Sequence, residues 1–97
     1  DFPAIGSLTF EKPDLERFRN LALAYASMEK GGNMPCILNA ANEIAVEAFL
    51  HDKISFTGMS DLIESTMGKT PFIQNPSYED YVETDREARS IAKNMIG

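Results

Sequence analysis

The stretch from Pro35 to His51 constrains this chain more than any other. On a wheel at about 100° per residue, Ile37, Leu38, Ala40, Ala41, Ile44, Ala45, Ala48 and Phe49 fill one broad half. A helix apolar over half its circumference must be covered on more than one side. Four of those eight residues are alanine, which lets a neighbouring helix come close. The pattern predicts a central helix of a bundle. Pro35 suits its first turn, where a missing N–H would have had no partner, and Asn33 is a candidate cap just upstream.

Three more helices are readable around it. Phe18, Leu21, Ala22, Tyr25 and Met28 recur at helical steps and form one apolar stripe. That helix starts between Asp14 and Phe18 and stops at Gly31-Gly32, since glycine adopts the left-handed conformation of a helix end. After an extended link at Lys53–Phe56, Thr57 is a good N-cap for a helix with Met59, Leu62, Ile63 and Met67 on its inner stripe, closed by Gly68. Pro71, Asn75 and Pro76 mark a loop, and Ser77–Asp80 could form a single turn. Thr84-Asp85-Arg86-Glu87 then reads as a capping box opening a last helix with Ala88, Ile91, Ala92 and Met95 inside. The expected fold is all-α: a small four-helix bundle over residues 14–97, preceded by an extended arm over residues 1–13. The arm carries Phe2, Ile5, Leu8 and Phe10 as apolar anchors. It lies against its own helices or a neighbouring domain, or else frays as chain ends often do.

With 97 residues the chain fits one domain. It has room for one core, but not for a deep self-contained active site as well. The net charge of −6 makes a nucleic acid or an anionic membrane surface a poor partner. No apolar stretch approaches the roughly 20 residues needed to cross a bilayer. A single cysteine, Cys36, fits a reducing cytoplasm. The first residue is Asp1 rather than Met, which reads as the inside of a longer product or the result of a processing cut.

Chemistry is sparse. His51, the only histidine, falls at the end of the central helix, where an imidazole suits the negative pole of the helix dipole. Cys36 lies in a first turn, where the dipole could lower a thiol pKa, but its apolar neighbours point to a plain buried thiol. Gly31-Gly32 is a helix stop, not a phosphate-binding loop. Glu79, Asp80, Glu83, Asp85 and Glu87 read as a solvated face without the spacing of a calcium loop. No catalytic, cofactor-binding or metal-ligating residue is expected. One face is less bland: Asn39, Asn42 and Glu43 lie at i, i+3 and i+4, together with Val46 and Leu50. It is either a wet face with two stray apolar residues or a contact to another part of a larger protein.

The string Leu38-Asn39-Ala40-Ala41-Asn42-Glu43, continuing to Leu50, resembles a hallmark segment of the 1-deoxy-D-xylulose-5-phosphate reductoisomerase family. Leu8-Thr9-Phe10 with Pro13-Asp14, Ile54-Ser55-Phe56-Thr57 and Ala88-Arg89 are similar to segments of the same C-terminal domain, so the likeness runs nearly end to end. The resemblance implies a cytoplasmic homodimer of the non-mevalonate isoprenoid pathway as parent. That parent converts 1-deoxy-D-xylulose 5-phosphate to 2-C-methyl-D-erythritol 4-phosphate with NADPH and a divalent metal, Mg or Mn. It places the NADPH-binding and catalytic domains upstream, as the partners of this region, and no ligand for either cofactor within it. A helical support domain, inactive alone, is then the expected role. The alternative is a free-standing acidic helical protein-interaction module. A small helical enzyme lacks a credible nucleophile–base pair. The residues do not fix the oligomeric state of the piece, where its arm docks, or which face meets a catalytic domain.

Overall fold

Alanine decides the layout. In the computed structural model, which describes residues 12–96, Ile37, Ala40, Ala41 and Ala45 are fully shielded from solvent. They belong to α2 (Met34–Leu50), which packs against all of its neighbours: α1 (Lys12–Lys30), α3 (Phe56–Lys69) and α4 (Tyr78–Ile96). α3 also touches both flanking helices, whereas α1 and α4 do not meet. The arrangement is therefore a central α2–α3 pair flanked by α1 and α4. No strand occurs among the described residues, so the all-α expectation holds.

The main core joins Ala41, Ile44 and Ala45 of α2 to Met59, Leu62 and Ile63 of α3 and Ala92 of α4. A second cluster joins Met34, Ile37 and Ala40 to Ala88 of α4. Each fully buried large aliphatic contributes roughly 1.5–3 kcal/mol. The alanines contribute less by themselves, but they set how closely the helices approach. Phe49 and Phe56 close the α2–α3 corner edge to face, with ring centroids 5.7 Å apart.

Several helix ends differ from the expected ones. α1 begins at Lys12, so Lys12 and Pro13 of the expected arm are helical; residues 1–11 lie outside the described residues. At the α1–α2 turn, Gly31 and Gly32 take φ of 72° and 56°, as a glycine stop should. Asn33 precedes α2 but makes no side-chain cap bond, because its amide is used elsewhere. Ser55, not Thr57, caps α3: its Oγ accepts the Gly58 N–H at 3.0 Å. α3 runs past Gly68 to Lys69, where Thr70 donates to the Thr66 carbonyl at 2.7 Å.

The largest shift is in α4, which starts at Tyr78 and leaves Thr84 buried in mid-helix. A reciprocal box forms earlier: Asp80 Oδ2 accepts the Ser77 N–H at 3.0 Å, and Ser77 Oγ accepts the Asp80 N–H at 3.2 Å. Between Tyr78 and Glu83 there is no glycine or proline to stop propagation, so the upstream box governs.

α1 is turned the other way from its pattern. An apolar stripe ordinarily faces a core. Here Leu21, Tyr25 and Met28 are 53%, 65% and 69% exposed, and Phe18 and Ala22 are exposed as well. The inward face is largely polar. Ser60 Oγ donates to Asn20 Oδ1 at 2.6 Å, Ser27 is buried, and Leu23 reaches the core. Arg19 bridges Asp61 at 2.8 Å and Glu64 at 2.6 Å on α3.

Candidate interdomain face

Asn39, Asn42 and Glu43 all lie on the exposed side of α2, and Val46 and Leu50 are exposed beside them. The structure divides the three polar residues between two neighbourhoods. Asn39 and Asn42 border a groove of about 560 Å³ between α1 and α2, whose walls also include Leu21, Ala24, Pro35 and Leu38. Glu43 turns towards α4. Its Oε1 accepts from Arg89 at 2.8 Å, while its Oε2 accepts from Asn39 Nδ2 at 3.4 Å.

Arg89 also donates through Nε to Asp85 at 2.9 Å. Asp85 first and then Glu43 push its pKa further up, so the guanidinium is a fixed charge joining α2 to α4. Glu43 is thus engaged within the domain. Asn39 and Asn42 keep amide groups at the edge of an apolar groove. Residue pattern alone missed Arg89 as the partner of Glu43, since 46 positions separate them.

The other candidates have structural places. His51 is the C-cap of α2, and its Nδ1 lies 2.9 Å from the Glu47 carbonyl oxygen, which also accepts the His51 backbone N–H. Cys36 is half-buried, and its Sγ is 3.6 Å from the Tyr81 carbonyl oxygen. Burial, then Asp85, push the thiol pKa up against an opposing effect of Arg89. Among the described residues no three His, Cys, Asp or Glu side chains are grouped to hold a metal ion. No helix there is long and apolar enough to cross a membrane.

Residues 1–91 match the family described as DXP reductoisomerase C-terminal domain. The chain belongs to the DXP reductoisomerase C-terminal domain family. The 1-deoxy-D-xylulose 5-phosphate reductoisomerase of Bacteroides fragilis is 66% identical over 96 residues, which are 99% of this chain and 25% of that protein. The enzyme of Halothermothrix orenii is 46% identical over 97 residues, again 25% of its length. The reductoisomerase of Zymomonas mobilis, solved in complex with NADPH, superposes with a TM-score of 0.76 at 42% identity, covering 99% of this chain and 25% of that one. The chain therefore spans about a quarter of the length of the relatives it matches. The described residues of this reductoisomerase-family domain do not fit a divalent metal, because no donor set converges.

Proposed function

We propose that this chain is the C-terminal helical support domain of a 1-deoxy-D-xylulose 5-phosphate reductoisomerase. The whole enzyme is an oxidoreductase of non-mevalonate isoprenoid biosynthesis, a cytoplasmic homodimer. It converts 1-deoxy-D-xylulose 5-phosphate to 2-C-methyl-D-erythritol 4-phosphate with NADPH and a divalent metal. The observation that carries this reading is the match to the Bacteroides fragilis enzyme at 66% identity over 99% of the chain but 25% of the enzyme. The catalytic and NADPH-binding domains of the same polypeptide are the partners of this region.

The role proposed for the region is mechanical. A reactive site functions only when its supporting shell is rigid. The alanine-packed α2, the fully buried Asn33 and the Arg89 bridge between α2 and α4 suit a stiff brace. Asn39 and Asn42, beside the apolar groove, are the proposed contacts to the neighbouring domain, with Glu43 orienting Asn39. The test is deletion of this region from the full-length enzyme. The truncated protein is expected to lose solubility or turnover; full activity from it would refute the support role.

The exposed apolar side of α1 favours a second reading, a free-standing interaction module. The upstream coding sequence separates the two. A G-x-G-x-x-G-like nucleotide motif followed by acidic metal ligands belongs to the reductoisomerase, whereas a start codon directly before Asp1 belongs to the module.

A further inference from the structure

We propose that the cationic hollow between the C-terminal ends of α2 and α4 receives a carboxylate side chain from the upstream part of the same polypeptide. The proposal rests on the reading of the chain as the C-terminal domain of a longer enzyme, and it supplies the chemistry of one interdomain contact.

The hollow has a volume of about 400 Å³. Its floor is apolar: Ile44 and Ala48 of α2 are buried, and Ile96 of α4 is half-buried. Its rim carries Glu47, His51, Lys53 and Lys93, all exposed. The end of α2 brings Lys53 there. Asp52 takes a left-handed φ of 58°, and its N–H donates to the Phe49 carbonyl at 3.0 Å. The Lys53 N–H donates back to the Ala48 carbonyl at 2.8 Å, which folds the chain over the helix end. Lys93 comes from the last turn of α4.

Two ammonium groups at this rim are uncommitted. Among the described residues, the side chains of Lys53 and Lys93 make no hydrogen bond, ion pair or ring contact. Every other described Lys and Arg side chain has a partner. Arg19, Arg86 and Arg89 form ion pairs, Lys30 lies over Phe72, Lys69 donates to Met95, and Arg17 has its own contact. In a chain of net charge −6, the uncommitted ammonium groups among the described residues thus share one hollow. His51 engages the Glu47 carbonyl through Nδ1, which leaves Nε2 uncommitted. Glu47 is the one acidic residue in the lining, so the two lysines leave the rim with excess positive charge. A carboxylate placed between them gains charge-assisted hydrogen bonds.

The position points to the rest of the polypeptide as the source. This domain is the C-terminal one and fills 25% of its relatives, so about three quarters of such an enzyme precedes it. α1 runs back beside α2 after the turn at 31–33, so its start at Lys12 lies at the same end of the bundle as His51. The chain therefore enters the bundle at the pole that carries the hollow. A polypeptide supplies fixed anions as Asp and Glu side chains. The exposed face of α2 with Asn39, Asn42, Val46 and Leu50 also runs between the α1–α2 groove and this hollow, so a domain seated on that face reaches both.

Zero-length carbodiimide crosslinking of the full-length enzyme tests this. The band migrating as a single chain is digested, and linked peptides are identified by mass spectrometry. The expected product is an amide between Lys53 or Lys93 and an Asp or Glu upstream of residue 1. Lys53→Gln with Lys93→Gln should lower the thermal midpoint of the full-length enzyme by about 2–4 °C, and Lys53→Arg with Lys93→Arg should hold it near the parent value. Four results would overturn the proposal: neither lysine links while other lysines of the enzyme do; the links reach only carboxylates within residues 1–97; they occur only in the band of two joined chains, so a second copy fills the hollow; or the glutamine variant keeps the parent midpoint. NADPH oxidation by the same sample separates this proposal from the reading beneath it. Normal turnover without the link sinks the proposal alone, whereas an intact protein that does not oxidise NADPH with substrate sinks both.

Discussion

Asn33 and Thr84 lie fifty-one residues apart in sequence and share a buried hydrogen bond, Asn33 Nδ2 donating to Thr84 Oγ1 at 2.9 Å. Nδ2 also donates to the Pro71 carbonyl at 3.1 Å, and Oδ1 accepts the Ile73 N–H at 2.8 Å. One amide with no solvent exposure thus ties the α1–α2 turn, the α3–α4 loop and the middle of α4 together. Removing it leaves several buried polar groups unpaired. Asn33→Ala should therefore destabilise the chain by roughly 2–4 kcal/mol in urea unfolding. Thr84→Val removes one bond while keeping the shape and should cost about 1 kcal/mol. The double variant should fall short of the sum, since both changes remove the same contact. Additive effects would show that the network does not act as a unit.

Gly31 and Gly32 both have positive φ, but only one is sterically trapped. A Cβ on Gly31 would meet nothing, whereas one on Gly32 would collide with the backbone carbonyl oxygen of Ile73. Gly31→Ala should cost about 1–2 kcal/mol, the ordinary penalty of a left-handed residue. Gly32→Ala should cost clearly more, because the loop that carries Ile73 must move. Thermal midpoints of the two variants rank them, and equal losses would contradict the close approach.

The bridge from Glu43 to Arg89 is partly exposed, so its contribution is small in the isolated chain. Asn39→Ala combined with Glu43→Ala should lower stability there by no more than about 1 kcal/mol. In the full-length reductoisomerase the same pair should lower the thermal midpoint further, because a domain contact is lost as well. If the changes are silent in both settings, this face contacts nothing.

Cys36 should react slowly. Its pKa is raised mainly by burial and secondarily by Asp85, so the thiol form is favoured in the folded state. A raised thiol pKa contributes stability at and below the ordinary thiol range, and that contribution is lost as pH rises through the folded value. Near the ordinary thiol pKa of about 8.5, iodoacetamide should modify the folded chain more slowly than the urea-unfolded one. Arg89→Gln removes the opposing effect and should slow the reaction again. A folded rate equal to the unfolded rate would show that burial does not control this thiol.

Much of the fold was legible because α2, α3 and α4 bury most of what their periodicity marks, although Phe49 stays partly exposed at the end of α2. Ile37, Ala40, Met59, Ile63, Ala88 and Ala92 are all inside. The ends were less legible. Thr84 resembles a cap, yet a competing Ser77–Asp80 box, whose Ser77 lies seven residues upstream, starts the helix first. α1 was misleading for a different reason: Asn20 and Arg19 find specific partners on α3, and buried Ser27 satisfies its hydroxyl on the Ala24 carbonyl of its own helix, so the helix is oriented against its own apolar stripe. Periodicity reports which side of a helix is apolar, not whether the surface that covers it lies in the same bundle. Asn39, Asn42 and Glu43 were recognisable as one face, but only tertiary structure assigns Glu43 to Arg89 and the two amides to the groove.

The most direct test of the support role is to follow NADPH absorbance while this chain is incubated with 1-deoxy-D-xylulose 5-phosphate, NADPH and magnesium, with circular dichroism verifying that its helices are formed. The expected result is a fully helical protein and no NADPH oxidation above the blank. Turnover by the folded chain alone would place reacting groups in these helices and contradict the account.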